Sequence, residues 1–167
     1  RLTRGFVEQL ADFIGPETDV PAPDVYTNAM IMGWMMDEYS KIHRQRTPAV
    51  ITGKPIPLGG SLGREDATGR GAYYCIKELE IARGWKPANI RVAVQGFGNA
   101  GQAVARLLHA DGYRVVAVSD SSGGIYSEGG LDPVAVKDYK RETGSVVGFD
   151  GADEDITNDD LLTLDVD

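Results

Sequence analysis

The stretch Ile90-Arg91-Val92-Ala93-Val94-Gln95-Gly96-Phe97-Gly98-Asn99-Ala100-Gly101 decides how the chain folds. Its first half is an apolar run long enough for a buried parallel strand. Its second half is a G-x-G-x-x-G turn, after which Ala100, Val104, Leu107 and Leu108 recur at helical spacing. Each glycine then has a physical task. Gly96 permits the tight turn, Gly98 lets the backbone approach a pyrophosphate, and Gly101 allows close packing of helix on strand. The helix start offers free N–H groups and a partial positive charge to an anion. A second apolar run, Tyr113 to Asp120, ends in an acid. Asp120 lies nineteen residues past Gly101, near the distance at which a carboxylate in such a unit meets a ribose hydroxyl. Strand, glycine turn, helix and strand together predict a Rossmann-like, doubly wound α/β domain that binds a dinucleotide.

Bulk properties narrow the field around that unit. The 167 residues are 42% hydrophobic and 25% charged, the composition of an ordinary globular protein. A net charge of −8 and an isoelectric point near 4.7 argue against a nucleic-acid partner, which requires a basic face. No apolar run has the length of a membrane span. The first residues lack the hydrophobic centre of a signal peptide, and the single cysteine, Cys75, excludes an internal disulfide framework. A cytoplasmic protein is expected. Asp outnumbers Glu and Arg outnumbers Lys, a balance that suits a halophilic archaeon's high-salt cytoplasm and equally an acidic mesophilic protein.

Upstream of the loop, Leu2, Phe6, Leu10 and Phe13 recur at helical spacing before Gly15-Pro16. Thr18 to Asp24 is proline-rich and extended, and Val25 to about Arg46 reads as one long helix, apolar nearly all round. Thr47 to Asp66, rich in Pro and Gly, is a loop of the length usually kept for function. A helix is expected from Ala67 to Arg83, with Ala72, Ile76 and Leu79 inward and Gly84 as its stop. Downstream, Ser121 to Gly130 reads as a loop, and Asp132-Pro133 as the start of a helix reaching Glu142. Thr157 is placed to cap a short helical turn through Leu162. Leu164 to Asp167 looks like the opening of a third strand, which leaves the sheet incomplete and points to an internal piece of a longer protein.

Four segments carry a closer resemblance: Asp19-Val20-Pro21-Ala22-Pro23-Asp24, Thr52-Gly53-Lys54-Pro55, Gly59-Gly60-Ser61-Leu62-Gly63-Arg64 with Ala67-Thr68-Gly69-Arg70-Gly71, and Val94-Gln95-Gly96-Phe97-Gly98-Asn99. In their order and spacing the chain resembles the glutamate dehydrogenases of the Glu/Leu/Phe/Val amino-acid dehydrogenase superfamily, over essentially its whole length. The resemblance implies reversible oxidative deamination of L-glutamate to 2-oxoglutarate and ammonia, with NAD or NADP as acceptor. It implies that residues 1–48 are the C-terminal part of a substrate-binding domain with its connecting helix, and that 49–167 open the NAD(P)-binding domain. It also implies a homohexamer.

By the same resemblance Asp24 is the catalytic carboxylate that moves a proton to and from the substrate nitrogen, and Pro23 offers its carbonyl to the amino group. Thr52 is similar to a substrate-pocket hydroxyl, and Thr68 to the residue that bonds the nicotinamide carboxamide. Gly96, Phe97, Gly98, Asn99 and Gly101 are the expected cofactor loop. From the residues alone Asp24 serves equally well as the N-cap of the Val25 helix, and Thr68 as a plain helix cap. Asp120 favours NAD by repelling a 2′-phosphate, and no lysine or arginine follows it closely in the sequence. Ser119, Ser121 and Ser122 are hydroxyls that suit such a phosphate instead.

The pattern departs from the family in two respects, of which the second is the absence of the C-terminal part of the dinucleotide domain with the serine that reads the substrate carboxylate. The family's catalytic lysine and its companion substrate lysines lie in a glycine-rich motif N-terminal to anything present. Lys54 belongs to a different motif, so the chain by itself is expected to be inert. A non-catalytic dinucleotide-binding subunit and a dehydrogenase for another amino acid are the rival readings. Gly59-Gly60-Ser61-Leu62-Gly63 also fits a hydrolase elbow, but Pro55 and Pro57 interrupt the strand that such an elbow needs. His43, His109 and Cys75 are not spaced as a zinc site.

Overall fold

The structure is a computed structural model and describes residues 1–167. They form two compact units, Arg1–Glu65 and Asp66–Asp167. The domain boundary that the resemblance implies, between residues 48 and 49, falls inside the first of these.

In the first unit, α1 (Leu2–Leu10) and α2 (Ala29–Ile42) close on a core that includes Val7, Ile14, Met32, Met35, Met36 and Ile51. Unbranched methionines suit an irregular space between two helices and a loop. α2 is shorter at both ends than the apolar run suggests. Tyr26 has φ +57° and Arg44 has φ +52°, left-handed conformations that a helix does not contain. Asn28 supplies the N-cap, its side-chain oxygen accepting the Ile31 N–H at 3.0 Å, so Asp24 does not cap this helix. The spaced residues mark the buried face of α1 only in part: Val7 is buried and Leu10 packs against the core, while Leu2 and Phe6, and Phe13 beyond the helix, are exposed. The loop after α2 is organised by two 3-10 turns, Pro48–Val50 and Ile56–Leu58, each with a proline in its first two positions.

The second unit is built on a four-stranded sheet of order β1-β2-β3-β4. β1 (Arg91–Gln95) and β2 (Arg114–Asp120) run parallel, joined by α4 (Asn99–Ala110). This is the expected βαβ unit. From Val115 to Asp120 every residue of β2 is buried, as a continuous apolar strand covered on both faces should be. β3 (Gly123–Tyr126) and β4 (Glu154–Ile156) then extend the sheet with antiparallel pairing.

β3 lies inside the segment read as a loop. Asp120 pairs with Gly123, which makes Ser121-Ser122 a two-residue hairpin turn. The glycines that disguised this strand answer a packing demand: a Cβ on Gly124 would come 3.0 Å from the Ser119 Cβ.

α3 (Ala67–Arg83) packs on α4 through Gly69, Tyr73 and Ile76, whereas Ala72 and Leu79 are exposed. Its C-terminus is the expected left-handed Gly84. α5 (Pro133–Thr143) starts as read, with the Asp132 side chain accepting the Val134 N–H, and α6 (Asn158–Leu162) is capped by Thr157 in a reciprocal box with Asp160. Leu164 to Asp167 forms no strand. It does run beside β1, where the Asp167 amide donates to the Arg91 carbonyl at 3.2 Å and its carboxylate accepts the Arg91 amide at 3.0 Å. No helix of the chain is long and apolar enough to cross a membrane.

Candidate functional site

In the first unit the structure gathers Pro23, Asp24 and Thr52 on two adjacent strands of loop. The Thr52 amide donates to the Pro21 carbonyl at 3.0 Å, which sets the two strands side by side. Asp24 closes a short turn with Thr27. Its amide donates to Thr27 Oγ1 at 2.7 Å, and that hydroxyl donates back to the Asp24 carbonyl at 2.8 Å. The Asp24 side chain is exposed and accepts one hydrogen bond, from the Val25 amide to Oδ1 at 2.9 Å. The backbone of Asp24 is therefore fixed while Oδ2 stays available for a proton. Thr52 is likewise exposed.

Lys54 is 9% exposed and donates from Nζ to the Ile51 carbonyl at 2.8 Å, so it braces its own loop from within. Such a buried, loop-bound ammonium is consistent with excluding Lys54 from the role of the family's catalytic lysine.

In the second unit the glycine turn has the geometry its sequence demands. Gly96 sits at φ +88°. Nothing lies within 4 Å of a Cβ placed on Gly98, so the loop is open there to an approaching group. A Cβ on Gly101 would stand 2.1 Å from the Gly96 carbonyl oxygen, which only glycine avoids. Gly98 is the N-cap of α4 and no side chain caps that end. The amides of Asn99, Ala100 and Gly101 thus have no partner within the helix and keep their positive end for an anion. Asn99, the first residue of α4, is exposed. An uncapped helix start beneath an open glycine is the cradle a dinucleotide pyrophosphate fits.

Phe97 has no such freedom. It is fully buried in the sheet core, its amide donates to the Ser119 carbonyl at 2.6 Å, and its own carbonyl accepts from Gln102 Nε2 at 3.0 Å. It anchors the loop, and its side chain is turned into the core and away from a cofactor. Thr68 is exposed in the first turn of α3, one residue after the start, and is not the cap of that helix. Asp66 holds the cap position, yet its carboxylate is drawn off to Arg70 at 2.6 Å and Arg106 at 3.0 Å. The Arg70 hydrogen bond holds the Asp66 carboxyl below its ordinary range. Through Arg106 this bridge fastens the start of α3, and with it Thr68, to α4.

Asp120 departs furthest from the sequence reading. It is 8% exposed, and both its oxygens are taken within the chain. Lys140 Nζ and the Val146 amide donate to Oδ2 at 2.8 and 2.9 Å, and the Ser122 amide and Ser145 hydroxyl to Oδ1 at 2.9 and 3.3 Å. Burial alone would push this carboxyl up; the Lys140 hydrogen bond, the two amides and the Lys140 charge outweigh it and bring the value below the ordinary range. In this arrangement the carboxylate is a clamp between β2 and the end of α5, with no lone pair directed at a ribose. The absence of a nearby cation in the sequence is misleading, because Lys140 arrives from α5. The charge argument for NAD therefore loses its basis. Ser119 Oγ is buried without a partner, so it too is withdrawn from a 2′-phosphate. Lys140 and Ser145 were missed because twenty or more residues separate them from Asp120 and no local pattern announces the contact.

A parallel βα unit with an open glycine turn over an uncapped helix defines the Rossmann-like class of dinucleotide domain. The chain belongs to the Glutamate/Leucine/Phenylalanine/Valine dehydrogenase family, whose model matches residues 59–167, while that of the family's dimerisation domain matches residues 1–41. It is 54% identical to an NADP-specific glutamate dehydrogenase of Synechocystis and 49% identical to a cryptic catabolic NAD-specific glutamate dehydrogenase of Bacillus subtilis. Each match takes in all of this chain but only 41% and 39% of the relative. Among solved structures, the hetero-hexameric glutamate dehydrogenase of Thermus thermophilus matches with a TM-score of 0.90 at 38% identity, covering 99% of this chain and 38% of that one. The chain thus spans about two fifths of the length of these relatives.

Proposed function

We propose that the protein containing this chain is a glutamate dehydrogenase that converts L-glutamate and water to 2-oxoglutarate and ammonium with NAD or NADP as acceptor. The observation that carries this reading is Asp24: its backbone is pinned by a turn while its carboxylate stays exposed and lightly bonded. A carboxylate so placed takes a proton from the substrate ammonium and returns one to the leaving nitrogen. The Pro23 carbonyl accepts from the same amino group, and Thr52 contributes a hydroxyl to the substrate. Gly96, Gly98 and Gly101 leave room for the pyrophosphate over the amides of Asn99, Ala100 and Gly101. Thr68 and Asn99 present side chains to the same cofactor. Bound there, a nicotinamide dinucleotide would supply the two-electron acceptor. Residues 1–48 belong in this reading to the substrate-binding domain and 49–167 to the dinucleotide domain; the protein is a cytoplasmic homohexamer.

The test is to express the full-length protein and follow reduction of NAD and of NADP with glutamate, leucine, phenylalanine or valine as donor. Glutamate is expected to be the preferred donor. Preference for a branched or aromatic amino acid, or dinucleotide binding with no turnover of any donor, would replace this reading with one of its rivals.

A further inference from the structure

The aspartate that carries the proposed chemistry is held from two sides by residues to which no role has been given. We infer that Thr27 and Gly53 are positioning residues for Asp24, a proposal that rests on the catalytic reading of Asp24 above.

On the C-terminal side, Thr27 Oγ1 accepts the Asp24 amide at 2.7 Å and donates to the Asp24 carbonyl at 2.8 Å, and the Thr27 amide donates to the same carbonyl at 3.0 Å. One side chain thus satisfies both backbone groups of Asp24. Tyr26, between them, has φ +57°, an uncommon conformation for a residue other than glycine, within the turn that these bonds close. These bonds leave the carboxylate itself untouched, which is what a support for a proton-transfer group requires.

On the N-terminal side, Gly53 lies under the Pro23 ring. A Cβ there would stand 2.5 Å from Pro23 Cγ and 2.6 Å from Pro23 Cδ, and Gly53 has φ +69°. The proline ring is fused to the backbone and cannot swing aside as a flexible side chain would. Any larger residue at position 53 must therefore displace the Pro23 backbone, and the carbonyl of Pro23 and the whole of Asp24 with it. The Thr52–Pro21 hydrogen bond and the inward Lys54 brace prevent the loop beneath from giving way instead.

The experiment uses the full-length protein, with kcat, KM for glutamate, the Kd of the reduced cofactor and the melting temperature measured for each variant. Thr27→Val keeps the shape and removes the hydroxyl; Thr27→Ser keeps the hydroxyl. Thr27→Val is expected to lower kcat by about 10- to 100-fold, the cost of a misplaced reacting group, with little change in cofactor Kd. Thr27→Ser should recover most of that loss. Gly53→Ala should lower kcat similarly. Gly84→Ala is its control, because Gly84 has φ +64° and nothing within 4 Å of an added Cβ, so it carries the backbone strain without the collision. A Thr27→Val protein with the parent's kcat, failure of Thr27→Ser to recover activity, or equal kcat in Gly53→Ala and Gly84→Ala overturns the positioning role. If Asp24→Asn is as active as the parent, the catalytic reading falls and this inference with it; an inactive Asp24→Asn beside a fully active Thr27→Val removes the inference alone.

Discussion

Asp24 and Asp120 each end an extended segment, and each was expected to touch a ligand, yet the chain treats them in opposite ways. Asp24 is exposed, its backbone tied down and its carboxylate holding a single hydrogen bond. Asp120 is buried, its carboxylate holding four hydrogen bonds from Lys140, Val146, Ser122 and Ser145. The first arrangement suits a group that must exchange protons; the second suits one that must keep a fixed charge at a fixed place. Residue type and place at the end of an extended segment are shared by the two, and what differs is burial and the number of uncommitted lone pairs.

Exchanging the two roles by mutation breaks this comparison most directly. In the full-length protein Asp24→Asn is expected to lower kcat by about 10²- to 10⁴-fold, the usual worth of a positioned acid–base group, with the melting temperature and cofactor Kd unchanged. Asp120→Asn is expected to do the reverse, lowering stability with chemistry intact in the molecules that remain folded. If Asp24→Asn instead unfolds the protein and leaves turnover per folded molecule unaltered, the assignment of roles is inverted.

Asp24 and Asp120 also mark where the sequence was readable and where it was not. The glycine loop, α4, β2, the Asp132 cap and the Thr157 cap were legible because each depends on residues within a few positions of one another. The ends of α2 were not, since nothing in an apolar run announces the left-handed backbone at Tyr26 and Arg44. β3 was hidden by Gly123 and Gly124, which read as loop punctuation although a Cβ on Gly124 would be tight against Ser119. The Lys140 clamp was invisible because it is made by tertiary folding alone. At the candidate site the same division holds: Gly96, Gly98 and Gly101 were readable one by one, while Phe97 shared their motif and turned out to anchor it.

The clamp itself predicts a pH dependence of stability. The folded-state pKa of Asp120 is depressed, so its contribution is complete above the ordinary carboxylate value near 4 and is lost as pH falls through the lowered folded value. Asp120→Asn should cost about 3 kcal/mol at neutral pH, the low end for breaking a buried pair, because Lys140 still reaches solvent. Denaturant unfolding at neutral pH and again below pH 4 measures this. The gap between the variant and the parent should shrink in acid. A gap that stays constant would mean that the neutral hydrogen bonds, and not the charge, hold β2 to α5.

The smallest effects sharpen the comparison at the level of supports, since Thr68 depends on helix packing much as Asp24 depends on Pro23. A Cβ on Gly69 would lie 2.5 Å from the Ala103 Cβ and 2.6 Å from the Ala100 carbonyl oxygen, whereas nothing lies within 4 Å of one on Gly71 two residues later. Gly69→Ala forces α3 away from α4 and should destabilise the protein by about 1–3 kcal/mol, as overpacking does. Gly71→Ala removes a helix-interior glycine at an exposed position and should stabilise by roughly 0.5–1 kcal/mol. The opposite signs on one helix are the measurement, read from the same denaturant curves. With α3 displaced, Gly69→Ala should also weaken binding of the reduced cofactor, because Thr68 moves with the helix, while Gly71→Ala should leave it unchanged. Equal and small changes in both would show that α3 floats over α4, and that Thr68 is positioned by something other than the Gly69 contact.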